Sequence, residues 1–371
     1  MKIKVNNKSL TRCLETVTKA LAQKPIIPIH SNILFVIKDN SCSLYAQNGT
    51  LQIKGIAPVE SEGDINMCIP GNIFMNTIRL LNEEELILYY KEEGFILQII
   101  AGNKKYKITG VNPKDYTIHE VKGDSKTELK VPAQEFVKYM KTVSSIIKWD
   151  DIRPEIAGVT MLVNNGKIDI TGTHDAFFFY RCASGFETDK EFAVVLHKEI
   201  SLTVGTMRGS GDANIVIGVK SISITLDGFE LTSTLVDVAK PLIIEKYIVY
   251  NKDNYIIANK QDLLMATRRS MNYSSNGLSL VVDIDKDEMK FSAENEFYGV
   301  DSEDVIDVEN NNIESSHFGI NMKYLMAILQ NVADEKVKIF ISGPTKPIYI
   351  VGNDTTDANE TWGCCLMHIN K

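Results

Sequence analysis

Apolar residues at three- and four-residue spacing open three stretches of the chain: "KSLTRCLETVTKALAQ" from Lys8, "QEFVKYMKTVSSII" from Gln134 and "KQDLLMATRRSM" from Lys260. Each predicts an amphipathic helix. The first and second start 126 residues apart, as do the second and third. A further set of helical stretches begins near Gly71, His197 and Asn321, so that the helix pattern recurs about every 63 residues. The chain therefore reads as six similar half-repeats grouped into three repeats, and fixed-period self-similarity of this kind sets the architecture before any single motif does.

Between the helices the period changes from 3.6 to 2. "SNILFVIKDNSCSLYAQNG" alternates about a turn at Asp39-Asn40, "GVTMLVNNGKIDITGT" about Asn165-Gly166, and "LSLVVDIDKDEMKFSAEN" around Asp285-Lys286-Asp287. The second halves turn at Glu93-Gly94, Asp227-Gly228 and Gly343-Pro344. Short polar turns between alternating runs predict antiparallel hairpins. The helices are too short to serve as crossovers between parallel strands, so the expected class is α+β with antiparallel sheet as the majority element. Two polar stretches, 121–130 and 246–254, are the candidate linkers between repeats.

Composition narrows the function. The 371 residues are 44% hydrophobic and 24% charged, a globular balance without any run of about 18 apolar residues that could span a bilayer. The N-terminus carries no apolar signal core, so a cytoplasmic location is expected. Six scattered cysteines, Cys13, Cys42, Cys68, Cys182, Cys364 and Cys365, make no CxxC pair and no zinc-like pattern with the histidines, which predicts reduced thiols and no metal.

The net charge of −8 argues at first against a nucleic-acid partner, but the charge is unevenly placed. The helix windows 8–24, 71–82, 134–148, 197–209, 260–271 and 321–332 hold 14 basic residues and four acidic ones, and every window is net positive. The rest of the chain is correspondingly acidic. Helices of one sign repeated on one side of a sheet predict a basic face for a polyanion and an acidic face turned to solvent.

No active site emerges. His174-Asp175 lacks a nucleophile motif, so His174 reads as a structural or groove-side histidine. "RGSGDAN" (208–214) lacks the lysine of a phosphate loop and reads as a turn after a helix. Asp283, Asp285 and Asp287 lack the glycine and terminal glutamate of a calcium loop.

Seven motifs stand in order on the triple repeat: "KPIIPIHSNILF" (24–35), "EGDINMCIPGNIF" (62–74), "YKITGVNPKDYT" (106–117), "RPEIAGVTM" (153–161), "TSTLVD" (232–237), "ATRRSMNYSSN" (266–276) and "FGINMKYLMAIL" (318–329). Through these motifs, in the family's order and on a repeat of the right period, the chain resembles the bacterial sliding clamps, the beta-subunit family of DNA polymerase III. The resemblance implies three tandem copies of the DNA-clamp fold, at 1–123, 124–247 and 248–371. It also implies a head-to-tail homodimer closing a six-domain ring around double-stranded DNA, without cofactor or catalysis.

Position by position, the resemblance points to Lys24, Arg79, Asp150, Arg153 and Lys198 beside DNA. It sets Lys105 and Tyr106 against the partner's Arg269, Asn272 and Tyr273 at the dimer joint. A groove for short peptides of the DNA polymerase III alpha subunit, the clamp loader and other clamp-binding proteins would involve Ile156, Thr173, Pro241, Tyr324, Thr345, Pro347, Cys365, Met367 and Ile369. The chain departs from the family at "TGTHDAFFFYR" (171–181), where a basic pair is replaced by phenylalanines, at "DVAKPLIIEKYI" (237–248), and at the C-terminal "CCLMHINK". A bacterial cytoplasmic, nucleoid-associated protein is expected. The competing reading is a repeat scaffold that binds proteins without encircling DNA.

Overall fold

The computed structural model describes residues 1–22, 24–121, 126–164, 166–174, 178–185, 191–243, 248–274, 279–343, 346–354 and 360–364, with the backbone alone at 178–185 and 360–364. Among the described residues six α-helices stand where the periodicity places them: α1 Asn7–Val17, α2 Gly71–Arg79, α3 Ala133–Ile146, α4 Lys198–Val204, α5 Lys260–Met271 and α6 Met322–Asn331. Each start falls within one residue of the expected one. Three of them open on an asparagine whose side chain accepts backbone N–H groups of the first turn: Asn6 from Ser9, Asn259 from Gln261 and Asp262, and Asn321 from Lys323 and Tyr324. These caps satisfy donors that the first helical turn leaves unpaired. The buried stripe of α1 is Leu10, Cys13, Leu14 and Val17, the spacing of one helix face.

The described residues form two compact units, 1–138 with 199–235, and 139–198 with 236–371. In the first, antiparallel strands run in the order 104–109, 96–101, 85–91, 2–6, 51–61, 229–234, 221–226, 212–217 and 127–132, with 32–38, 41–47 and 65–70 joined to it through 51–61. In the second the order is 192–196, 159–164, 167–174, 178–185, 360–364, 348–352, 336–340, 255–259, 300–311, 288–295, 279–285 and 316–321. The expected central domain, 124–247, thus contributes strands to both sheets. The polar stretch 121–130 is only partly a linker, because the strand Thr127–Pro132 begins inside it.

The turns explain the tightness of the hairpins. Asp39 and Asn40 have φ of 50° and 57°, and Asp227 and Gly228 have 54° and 84°. Two consecutive positive φ values match the right-handed twist of the flanking strands, which is why short polar residues and glycine occupy them. Inside each unit the helices cover one face of the sheet: α1 packs on 51–61 and on α2, and α5 on 288–295, 300–311 and α6. Phe35 and Phe74, both fully buried, meet edge to face at 5.9 Å and join a strand to α2. Cys13, Cys42 and Cys68 are free and buried.

Candidate functional site

Thirteen of the fourteen helix-window cations are exposed. The exception is Lys260, whose ammonium donates to the carbonyls of Val332 (2.9 Å) and Ala333 (3.2 Å) and so closes the end of α6. On the helix side of the first unit, Lys8, Arg12, Arg79 and Arg208 line an open groove of about 750 Å³, together with Glu15, Glu83 and Glu84. A second recess of about 260 Å³ shares Arg12 and Arg208 and adds Lys19. These cations come from α1, α2 and the loop after α4, so the repeat itself gathers them.

One carboxylate organises that loop. Asp227 accepts the backbone N–H groups of Arg208 (2.7 Å), Gly209 (3.1 Å) and Ser210 (2.9 Å), and the Ser210 hydroxyl at 2.5 Å. Partial burial pushes the Asp227 carboxyl up, but the donors of Ser210, Gly209 and Arg208 outweigh it and its pKa lies below the usual value. Gly209 and Gly211 have φ of 73° and 71°, which lets successive N–H groups converge on one anion. The turn expected at "RGSGDAN" is therefore built around an internal anion. Arg12 donates to the Asp227 carbonyl (3.3 Å), and the Lys19 ammonium to Thr206 Oγ1 (2.8 Å).

Of the residues expected beside DNA, Arg79 lines the groove from the last turn of α2, while Lys24 stands exposed on the loop before strand 32–38. Lys198 is exposed at the first position of α4, and Asp150 is exposed after α3. Arg153 is exposed, but its guanidinium is held by Asp151 in a two-point contact, Nε to Oδ1 and Nη2 to Oδ2, both 2.9 Å. Arg153 hydrogen bonding holds the Asp151 carboxyl far below the ordinary range. That cation is largely neutralised by its neighbour.

The acidic half of the picture is present too. Asp285, Glu288 and Asp307 lie side by side across three strands, all exposed, while the intervening Ile284, Met289 and Ile306 are buried. Like charges in register are unfavourable for a sheet, so these three carboxylates form a local acidic patch at a cost in stability.

Two of the residues expected in the peptide groove, Thr173 and Pro347, lie in or next to strands of one sheet. Thr173 faces Phe179, Phe179 faces Gly363, and Gly363 faces Tyr349. The next row is His174, Phe178, Cys364 and Ile348. Thr173 and Pro347 therefore flank a short band of four adjacent strands, roughly 15 Å across at the usual strand spacing. Tyr324, in the first turn of α6, places its hydroxyl 3.1 Å from His174 Nδ1, with ring centroids 5.5 Å apart. His174 thus stands beside Tyr324, one of the residues expected in the peptide groove. Ile156 is buried, and Pro241 and Pro347 are half-buried; Thr345, Cys365, Met367 and Ile369 lie outside the described residues.

Of the residues expected at the dimer joint, Lys105 and Tyr106 are exposed on strand 104–109, which forms one end of the first sheet. Arg269, Asn272 and Tyr273 are exposed at the end of α5, where Arg269 Nε donates to Asp304 Oδ2 at 2.5 Å. Asp304 belongs to strand 300–311, which pairs with 288–295 on one side; on its other side 255–259 pairs with residues 308–311 only. Among the described residues, 300–307 thus present a second free edge.

The repeats meet inside each unit through matching strand pairs, a feature that sequence reading missed. Pro58, Gly185 and Asp307 pair with Ser41, Lys167 and Glu288, the first residues of the preceding strands, so 51–61, 178–185 and 300–311 are one element repeated. Three residues earlier, Gly55 faces Phe229 and Cys182 faces Glu360. Phe229 and Glu360, like Lys104, each open the last strand of a half-repeat. Both junctions share one register. Only the pair formed by 104–109 and 300–307 has no counterpart within the described chain.

Models of the N-terminal and C-terminal domains of the DNA polymerase III beta subunit match residues 1–120 and 247–362. The chain is 22% identical over 369 residues to the beta sliding clamp of Pseudomonas aeruginosa, covering 96% of this chain and 98% of that protein, and 21% identical to that of Staphylococcus epidermidis over 94% of each. The crystal structure of the Pseudomonas aeruginosa clamp bound to griselimycin superposes with a TM-score of 0.91 over 100% of both chains at 19% identity, and that of the Bacillus subtilis clamp with 0.91 over 100% of both at 16%. Among the described residues no helix is long and apolar enough to cross a membrane. Two family models that jointly take in well over half of the chain, and one fold shared from end to end, place it in the DNA polymerase III beta-subunit family, the bacterial sliding clamps.

Proposed function

We propose that the protein is a DNA sliding clamp: a non-catalytic ring of two head-to-tail copies that encircles duplex DNA and tethers the replicative polymerase to it. The observation that carries this reading is the pair of equal-register junctions together with the two strand edges left over. A third junction of the same kind needs strand 104–109 of one copy and strand 300–307 of another, and two such joints close a ring of six repeats. The three repeats would then run over 1–123, 124–247 and 248–371. A closed assembly of this type is a cyclic one, since each copy offers both edges.

The basic helix faces support the same reading. Phosphate attraction is independent of sequence, so exposed Lys and Arg around a duplex allow sliding without base recognition. Lys24, Arg79 and Lys198 are proposed near the backbone, with Lys8, Arg12, Lys19 and Arg208 beside them; Arg153 and Asp150 would contribute less, because Asp151 holds the Arg153 charge. Tethering raises the local concentration of any bound polymerase on its template. The alpha subunit of DNA polymerase III, the clamp loader and other proteins with short binding peptides would share the groove that contains Thr173, Tyr324 and Pro347. This activity belongs in the bacterial cytoplasm, at the nucleoid.

The test is topological. Loaded by a cognate loader on nicked circular plasmid, the protein should remain bound through high-salt gel filtration and be released when the plasmid is cut once. Equal release from circular and linear DNA would favour a scaffold that never encircles the duplex.

A further inference from the structure

Phe297 and Tyr298 are 86% and 72% exposed, stacked edge to face with ring centroids 4.9 Å apart. They sit on the turn between strands 288–295 and 300–311. The turn is tied down: the Tyr298 N–H donates to the Asn295 carbonyl at 3.2 Å, the Gly299 N–H to the Glu296 carbonyl at 3.3 Å, and Gly299 takes φ of 62°. Two large apolar rings are thus held in water on an ordered turn. Isolated exposed apolar residues need no explanation, but an adjacent aromatic pair on a fixed turn marks a contact surface.

The repeat says what lies opposite. Carrying the register of the two internal junctions to a third sets Lys104 against Asp304, as Phe229 stands against Gly55 and Glu360 against Cys182. Counting on in antiparallel sense sets Lys105 against Glu303, Lys107 against Asp301 and Thr109 against Gly299; there the ladder ends, because Gly110 is buried and the backbone of Val111 pairs with Cys68 of its own chain. The edges are complementary in charge, with Lys105 and Lys107 exposed on one and Asp301 and Glu303 exposed on the other. Val111 is itself 47% exposed just past the end of its strand. At the corresponding turn of the first repeat the chain has Asn48-Gly49, and there the Thr234 N–H reaches the Thr50 carbonyl at 3.1 Å, so the turn does abut the facing strand.

We propose that Phe297 and Tyr298 form an apolar latch of the joint between copies, seated just past the end of strand 104–109 on the exposed side chain of Val111 of a second copy. This rests on the head-to-tail reading above and adds an anchor that the internal junctions lack. The charged edges set the register, and the latch lengthens the life of the closed ring, since aromatic residues supply most of the energy of well-packed interfaces.

Sedimentation velocity of the full-length protein tests it. Phe297→Ser with Tyr298→Ser should raise the dimer dissociation constant about tenfold or more, the size expected for an aromatic anchor, and leave its salt dependence unchanged. Val111→Cys with Phe297→Cys should give a covalent dimer on mild oxidation, because a latch seated on Val111 brings the two positions within disulfide reach; Val111→Cys with Glu303→Cys should not. A dimeric wild type with an unchanged dissociation constant in the serine variant and no cross-link would overturn the latch alone. A monomeric wild type would overturn the head-to-tail reading beneath it.

Discussion

Lys54 and Glu230 face each other across the junction of strands 51–61 and 229–234, with Nζ 3.7 Å from Oε2. The equivalent positions at the proposed joint between copies are Glu303 and Lys105, the same pair with the signs exchanged. Strand 51–61 set against 104–109 would oppose Lys54 to Lys105, and 300–307 set against 229–234 would oppose Glu303 to Glu230. Like charges across a strand pair oppose association, so the reversal separates the joint within the chain from the joint between chains.

Charge exchange at this joint should therefore behave as a code. Lys105→Glu with Lys107→Glu in one preparation, and Asp301→Lys with Glu303→Lys in another, should each be monomeric at micromolar concentration, since like-charge juxtaposition in an interface costs several kcal/mol. Mixed in equal amounts, the two should dimerise again, because every joint in the mixed ring regains opposite charges. Light scattering after gel filtration reads the outcome, and a mixture that stays monomeric would refute the register.

The Asp227 tie should be visible in stability. Asp227→Ala leaves three backbone N–H groups without their acceptor and should cost about 1–2 kcal/mol, measured by urea unfolding. The folded pKa of Asp227 lies below its ordinary 3.8. Its contribution is therefore complete above that value and is lost as pH falls through the folded pKa. The difference between the wild type and Asp227→Asn should shrink below about pH 4 and stay constant from pH 5 to 8.

Individual cations should differ in their effect on DNA. Each phosphate contact adds about one unit to the slope of log affinity against log salt. Arg79→Ala and Arg12→Ala should lower the slope by nearly that amount for protein bound to open-ended duplex, whereas Arg153→Ala should change it little. An equal loss at all three positions would mean that Asp151 does not neutralise Arg153.

At the proposed groove, Tyr324→Ala removes a hydrogen-bond partner of His174 and should weaken a fluorescent clamp-binding peptide at least tenfold with the dimer intact. Met367→Glu should abolish binding. Fluorescence anisotropy decides both, and unchanged affinity in Met367→Glu would remove that residue from the groove.

Much of the architecture was legible because it repeats. Helix positions followed from apolar spacing, and the hairpin turns from Asp, Asn and Gly at places where two positive φ values are needed. Register between strands far apart was not legible: Gly55 with Phe229 is a non-local pairing, and alternation marks a face without naming its neighbour. The same holds for Lys260, counted among the cations available to DNA although it closes a helix whose end lies 72 residues away. The Arg153 pairing had a local signal, an aspartate two positions earlier in "DDIRP". Asn6, Asn259 and Asn321 were equally readable as caps, each standing just before an apolar helical run.

The most direct test of the central claim is negative-stain electron microscopy of the purified full-length protein, with two-dimensional class averages. Closed rings with a pseudo-sixfold outline and an open centre wide enough for a duplex are predicted. Crescents or separate three-lobed particles at concentrations where the chain is fully folded would contradict it.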